Sequence, residues 1–151
     1  MRKLLFILVL TPFLFSFSCS NDDDKTVEDT NTNVSVNQLS GTWNLTAKYN
    51  SGSFNNSATS CELQYGKFTF GPSAVEKRGL QATDCSEQSY TYSDYNIVNG
   101  QLKLVRNNVT YIYNMEYSST TLILTKVSSQ PSSGSITIIP VSEQVRLQYS
   151  K

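Results

Sequence analysis

Residues 88–127 read QSYTYSDYNIV-NG-QLKLVR-NN-VTYIYNMEY-SS-TTLILTKV, four alternating runs separated by three two-residue turn signals. Asn99-Gly100 is the strongest short hairpin signal available, because both residues tolerate the positive φ that a tight type I′ turn demands. Asn107-Asn108 and Ser118-Ser119 repeat that punctuation. Strands are therefore predicted over 88–98, 101–106, 109–117 and 120–127, an antiparallel meander in which each run pairs with the next. A single flat sheet of this kind would leave long unpaired edges, and closing it into a barrel removes them.

The same period continues on both sides. Upstream, Thr42-Trp43-Asn44-Leu45-Thr46-Ala47-Lys48-Tyr49 alternates strictly, with Trp43, Leu45, Ala47 and Tyr49 on one face. A second strand is predicted over 61–70, with a bulge at Gly66, and a weaker one over 74–83. Downstream, 128–134 reads as a Ser/Pro/Gly loop, and 135–139 and 143–149 supply closing strands on either side of Pro140. Nowhere does a 3.6-residue apolar period persist, so no helix is expected. The fold class is all-β: one antiparallel up-and-down barrel of about eight strands, spanning residues 39–151.

The N-terminal part has a different composition. Met1-Arg2-Lys3 precedes an apolar stretch over 4–17 that Thr11, Pro12 and Ser16 interrupt. It is too short and too broken to span a bilayer comfortably, so residues 1–18 read as a removable signal peptide. Residues 20–38 carry Asp22, Asp23, Asp24, Glu28 and Asp29 against Lys25 alone, and they lack apolar periodicity. Such a segment cannot bury enough surface to order itself, so 19–38 is expected to be a flexible acidic tether.

Cys19 at that junction, after the small Ser18, resembles the lipobox of bacterial lipoproteins. That resemblance implies acylation of Cys19 and attachment to a membrane through the lipid. Cys19-Ser20-Asn21-Asp22-Asp23-Asp24 is also similar to the export signal of surface lipoproteins in the Bacteroidota, which implies an outer-membrane protein exposed at the cell surface. With Cys19 so used, Cys61 and Cys85 remain as a pair. In an oxidising compartment a disulfide is the simplest use of such a pair, worth roughly 3 kcal/mol by chain entropy; two free buried thiols are the competing reading.

Leu39-Ser40-Gly41-Thr42-Trp43-Asn44-Leu45 resembles the opening strand of a lipocalin, where a Gly-x-Trp motif starts the barrel. The resemblance implies that Gly41 turns the chain and that the indole of Trp43 plugs the closed end. It also implies a basic side chain laid across that indole. Arg146 is the first candidate and Lys126 the second, with a solvated Arg146 as the alternative.

Composition limits the chemistry. The chain has no histidine, so neither the commonest base near neutral pH nor the commonest transition-metal ligand is present, and a Ser-His-Asp triad is impossible. Residues 39–151 carry nine Lys or Arg against seven Asp or Glu, too balanced for a nucleic-acid surface. Asp84, Glu87 and Asp94 cluster in a turn-rich segment without ligand spacing and read as a solvated loop. No enzyme activity, cofactor or metal is expected.

The tyrosines carry the functional expectation. Tyr111, Tyr113 and Tyr117 share one strand face, and Tyr90 and Tyr92 share another. They either line a cavity for a small apolar or amphipathic ligand or simply fill and coat a barrel. Alternation alone does not say which face is inside. The alternative function is a protein–protein interaction module with a filled core, either inhibitor-like or an accessory subunit of a surface complex. Its contacts would then lie in polar loops such as 51–60 or 86–95.

Overall fold

The computed structural model describes residues 34–81 and 84–151. The expected signal peptide, Cys19 and most of the expected tether lie outside the described residues. Along the chain come α1 (Val36–Leu39), β1 (Gly41–Asn50), α2 (Ser60–Tyr65), β2 (Lys67–Phe70), β3 (Ala74–Gln81) and β4 (Cys85–Tyr92). β5 (Asp94–Val98), β6 (Gln101–Arg106), β7 (Val109–Tyr117), β8 (Thr121–Pro131), β9 (Thr137–Ile138) and β10 (Val145–Ser150) follow.

All strand pairing is antiparallel, in the order β4-β3-β2-β1-β10-β8-β7-β6-β5, with β9 also on β8. β9 and β10 both pair with the edge of β8 that β7 leaves open, so together they fill one position around the barrel. β4 and β5 end the path at opposite sides, yet only Ser93 separates them in sequence. Its N–H donates to the Val105 carbonyl at 2.8 Å, carrying the chain from β3's neighbour to β6's neighbour. The ten strand segments therefore occupy eight positions of a nearly closed lipocalin-like barrel.

The predicted meander is present, with one division. The run 88–98 is broken at Ser93, where the strand changes partner. Asn99 and Gly100 have φ of 52° and 73°, and Asn107 and Asn108 of 52° and 59°, as tight hairpins require. β8 runs on through Ser128–Pro131, where a loop was expected. Ser128 is buried there, and β7 pairs with this stretch beyond a register shift at Ile112/Tyr113.

Two expectations are corrected. Residues 60–65 are helical rather than strand. Thr59 Oγ1 accepts from the Glu62 N–H and Glu62 Oε2 accepts from the Thr59 N–H, a reciprocal cap that makes the first turn favourable. Cys61 of this helix is disulfide-bonded to Cys85 at the start of β4 (Cα–Cα 5.6 Å), so α2 is stapled across the barrel rim. Contact with β3 is close enough that a Cβ on Gly79 would lie 2.0 Å from the Cys61 carbonyl oxygen. Residues 34–38, expected to belong to a tether, also lie in the fold: Val34 packs on the core, α1 follows, and Leu39 is fully buried.

α1 and Trp43 form the floor. The indole is 0% exposed, and its Nε1–H donates to the Leu39 carbonyl at 2.7 Å. Tyr117 meets it edge-on at 5.9 Å. Above it, Phe68, Phe70, Leu102, Leu104, Met115 and Leu122 fill the lower interior. The cation over the ring is Lys151, with Nζ 4.6 Å from the centroid, and neither Arg146 nor Lys126. Strand parity explains the correction. Val145, Leu147 and Tyr149 face inward, which turns Arg146 outward, where it pairs with Glu116 at 2.9 Å. Lys126 faces inward but lies opposite Tyr113, above the floor.

Trp43→Ala is expected to cost about 3–5 kcal/mol in denaturant unfolding, by loss of burial and the cavity left behind. Lys151→Ala should cost no more than about 1 kcal/mol, as an exposed cation–π contact does. A Trp43→Ala protein as stable as the parent would remove the floor from this account.

Candidate functional site

Above the packed floor the barrel interior changes character. On β3 the inward positions run Ala74, Glu76, Arg78; on β6 Leu102, Leu104, Arg106; on β8 Leu122, Leu124, Lys126. On β6 and β8 the apolar series gives way to charge as it nears the rim, and on β3 it passes through Glu76 and Arg78 to Leu80. Between these strands and α2 opens a cup of about 360 Å³, with walls that include Leu45, Leu80, Leu147, Tyr113, Tyr149 and Lys126.

Glu76 anchors the cup's polar side. It is 2% exposed and accepts three hydrogen bonds, from Arg78 Nε at 2.6 Å, Arg78 Nη2 at 2.9 Å and the Tyr92 hydroxyl at 2.6 Å. A carboxylate buried this deeply is tolerated because both of its oxygens find donors. Desolvation works against the charge of Arg78, but the hydrogen bonds and negative charge of Glu76 outweigh it and raise the guanidinium further above its ordinary value.

At the rim Lys48 Nζ binds Glu62 Oε1 at 2.7 Å, tying β1 to α2. Partial desolvation pulls the Glu62 carboxyl upward. The Lys48 hydrogen bond, the Thr59 backbone N–H and the Lys48 charge overcome that and hold it below its ordinary value.

The five tyrosines singled out from the sequence do face inward, but at different heights. Tyr117 belongs to the floor, donating to the Gln38 carbonyl at 3.2 Å. Tyr92 and Tyr113 are buried in the middle, and only Tyr113 of the five borders the cup directly. Tyr90 donates to Gln88 and lies beneath Arg106, whose guanidinium carbon is 4.4 Å from its ring centroid. Tyr111 stands between Arg106 at 5.5 Å and Lys126 at 4.7 Å. Gly41 does turn the chain, with φ of 109°.

Sequence reasoning missed Glu76, Arg78 and Lys126 as lining residues, with Arg106 behind them over the tyrosines, and missed Tyr149. The signal was present: all four charges continue an inward apolar series at period two. Asp84, Glu87 and Asp94 do not form a site. Glu87 pairs with Lys77 at 2.8 Å, and all three carboxylates are exposed. Among the described residues no three Cys, Asp or Glu side chains assemble as a metal-ligand set.

Desolvation, then neighbouring Tyr113 and Glu76, pushes the Tyr92 phenol well above its ordinary value. Burial and Glu76 do the same to Tyr113, and burial above all to Tyr149. Groups whose folded pKa is raised contribute stability that is complete below the unfolded value of about 10 and is lost as pH climbs through the folded values. In a near-ultraviolet alkaline titration these three phenols should ionise only as the barrel unfolds. Tyr92→Phe and Tyr113→Phe should leave the earlier, reversible phenolate rise unchanged. Reversible ionisation of all nine tyrosines near pH about 10 with the fold intact would contradict the burial of this layer.

Residues 39–124 match the lipocalin-like domain family, from the buried Leu39 of α1 to Leu124 of β8. No significant match to the chain is found among curated proteins or among solved structures.

Proposed function

This chain belongs to the lipocalin-like domain family, and from that premise we propose that its barrel binds a small amphipathic ligand in the open upper half, at a bacterial cell envelope. The observation that carries the reading is the division of the interior. Trp43 and the residues above it fill the lower half, whereas the upper half keeps a cup of about 360 Å³ walled by aliphatic and tyrosine side chains. Ligand sites run from roughly 300 to 1,000 Å³ and combine apolar walls with a few placed polar groups. At roughly 30 Å³ for each water-sized group, the cup accepts about a dozen non-hydrogen atoms. The protein's part is to bind rather than to transform.

The envelope location rests on Cys19 and the acidic run behind it. In this reading Cys19 is acylated, the lipid holds the protein on the outer membrane, and Asp22–Asp24 help direct it to the outer face. Several acyl chains make such attachment durable where one holds only marginally. A tether of this composition would let the barrel move about its anchor and capture or hand over a ligand near the surface.

A second reading has one observation of its own. Phe54 is 93% exposed and, with Val141, flanks a shallow hollow of about 240 Å³ beside Arg146 on the outer face. An exposed aromatic beside an apolar hollow suits contact with a surface protein, as an inhibitor-like or accessory module would make.

Native mass spectrometry of the protein purified from its own host should show a retained small molecule. Leu147→Trp, which puts a bulky ring into the cup, should lose that molecule while keeping a cooperative unfolding transition. Equal retention by Leu147→Trp and the parent would rule the cup out, and a Phe54→Ser variant would then test the outer hollow. Separately, cells fed labelled palmitate should label the parent and not Cys19→Ala; label on both would refute the anchor.

A further inference from the structure

The interior above the floor holds more positive charge than it neutralises. Four cations lie there, and two of them have carboxylate partners. Lys48 pairs with Glu62 and Arg78 pairs with Glu76. Arg106 and Lys126 have no carboxylate within ion-pair distance among the described residues. Both are applied instead to tyrosine rings: Arg106 to Tyr90, Tyr111 and Tyr92 at 4.4, 5.5 and 5.8 Å, and Lys126 to Tyr111 at 4.7 Å. Arg78 also lies over the Tyr90 ring, at 5.1 Å, so cations and rings alternate from β3 to β8 as Arg78, Tyr90, Arg106, Tyr111, Lys126.

A ring face is a weak substitute for an anion, worth roughly 0.5–2 kcal/mol depending on desolvation. It also offers no acceptor to the N–H groups. The Nε of Arg106 shows this directly, being buried without a hydrogen-bond partner among the described residues. Lys126 lines the cup without a carboxylate partner, and the orphaned guanidinium N–H of Arg106 lies behind it across the Tyr111 ring, an arrangement that an incoming acceptor at Lys126 completes.

We propose that the ligand of the cup is an organic anion. Its apolar body lies against Leu45, Leu80 and Leu147, and its charged head is drawn to Lys126 with Arg106 across the Tyr111 ring. The inference rests on the binding reading above and adds the chemical class of the ligand. A carboxylate suits both partners, since Arg and Lys each make charge-assisted bonds to it. Tyr111, held between the two cations, positions both charges.

Decanoate and 1-decanol share a ten-carbon chain and differ in the head, so the pair separates the anion from the apolar body. By calorimetry the full-length mature protein should bind decanoate at least about tenfold tighter than decanol, as one net charge-assisted contact supplies. Lys126→Met, which removes the charge and keeps most of the side-chain length, should erase about tenfold of the decanoate affinity and leave decanol within about twofold. Arg106→Gln should act in the same direction, and added salt should weaken decanoate alone. Equal affinities for the two probes, or equal losses of both in Lys126→Met, would overturn the anion while leaving small-molecule binding standing. Failure of both probes to bind the parent, with Leu147→Trp behaving identically, would overturn the binding reading along with it.

Discussion

The indole N–H of Trp43 must find an acceptor in a place with no water, and the structure around it follows from that requirement. A buried donor left unpaired costs more than the bond itself contributes. The acceptor is the Leu39 carbonyl, which faces the ring only because α1 ends at Leu39 and the chain turns through Ser40 and Gly41 into β1. The Tyr117 hydroxyl, from the far end of β7, binds the next carbonyl back, that of Gln38. Lys151 then covers the outer face of the ring. Segments far apart in the chain thus meet at one side chain, and the lower end of the barrel is closed by them. Phe68, Phe70, Leu102, Leu122 and Met115 pack onto this floor.

Closure below makes the upper half the only part of the barrel interior that is free to differ. The strands do differ there, and in step: the inward face of β3, β6 and β8 passes from Ala or Leu to a charged residue as it rises. A polar layer inside a barrel survives only if its members satisfy one another. Glu76 manages this with Arg78 and Tyr92, and Lys48 manages it with Glu62 of the helix above. The Cys61–Cys85 bond and the reciprocal Thr59–Glu62 cap hold that helix at the rim, so the mouth of the cup has a fixed wall and not a loose loop.

Much of the barrel was legible because its strands are local and punctuated. Asn99-Gly100 and Asn107-Asn108 name their turns, and the alternation in Val109–Tyr117 sorts that strand into an inner and an outer face before any partner is known. The cysteine pairing followed from counting three cysteines and giving one to the lipid. What escaped had a competing pattern or no pattern. Leu63 and Tyr65 alternate well enough to read as strand, and the Thr59-x-x-Glu62 cap that outweighs them is a four-residue signal easily passed over. Ser35-x-x-Gln38 before α1 is the same kind of signal. The break at Ser93 leaves no mark, since residues on both sides remain extended and only the neighbour changes. Lys151 over Trp43 depends on which parity β10 adopts, and that is set by its pairing to β1 and β8 and not by its own residues. The cup residues were visible in the alternation but were hidden by the attention tyrosine attracts.

The charge surplus of Lys126 in the cup and Arg106 behind it is hard to account for as architecture. The whole chain balances twelve basic against twelve acidic residues, so nothing global calls for cations in the interior. If the aim were only to fill space beside Tyr111, leucine at 106 and 126 would continue the series begun by Leu102 and Leu104 and by Leu122 and Leu124. Replacing interior charge by apolar side chains of similar size is commonly neutral or stabilising. Walls of low polarity strengthen and focus whatever field the two cations make, toward the one side where solvent and solutes enter. A barrel that closes its floor with apolar groups and keeps two uncompensated cations below an open rim is organised around something negative that arrives from outside.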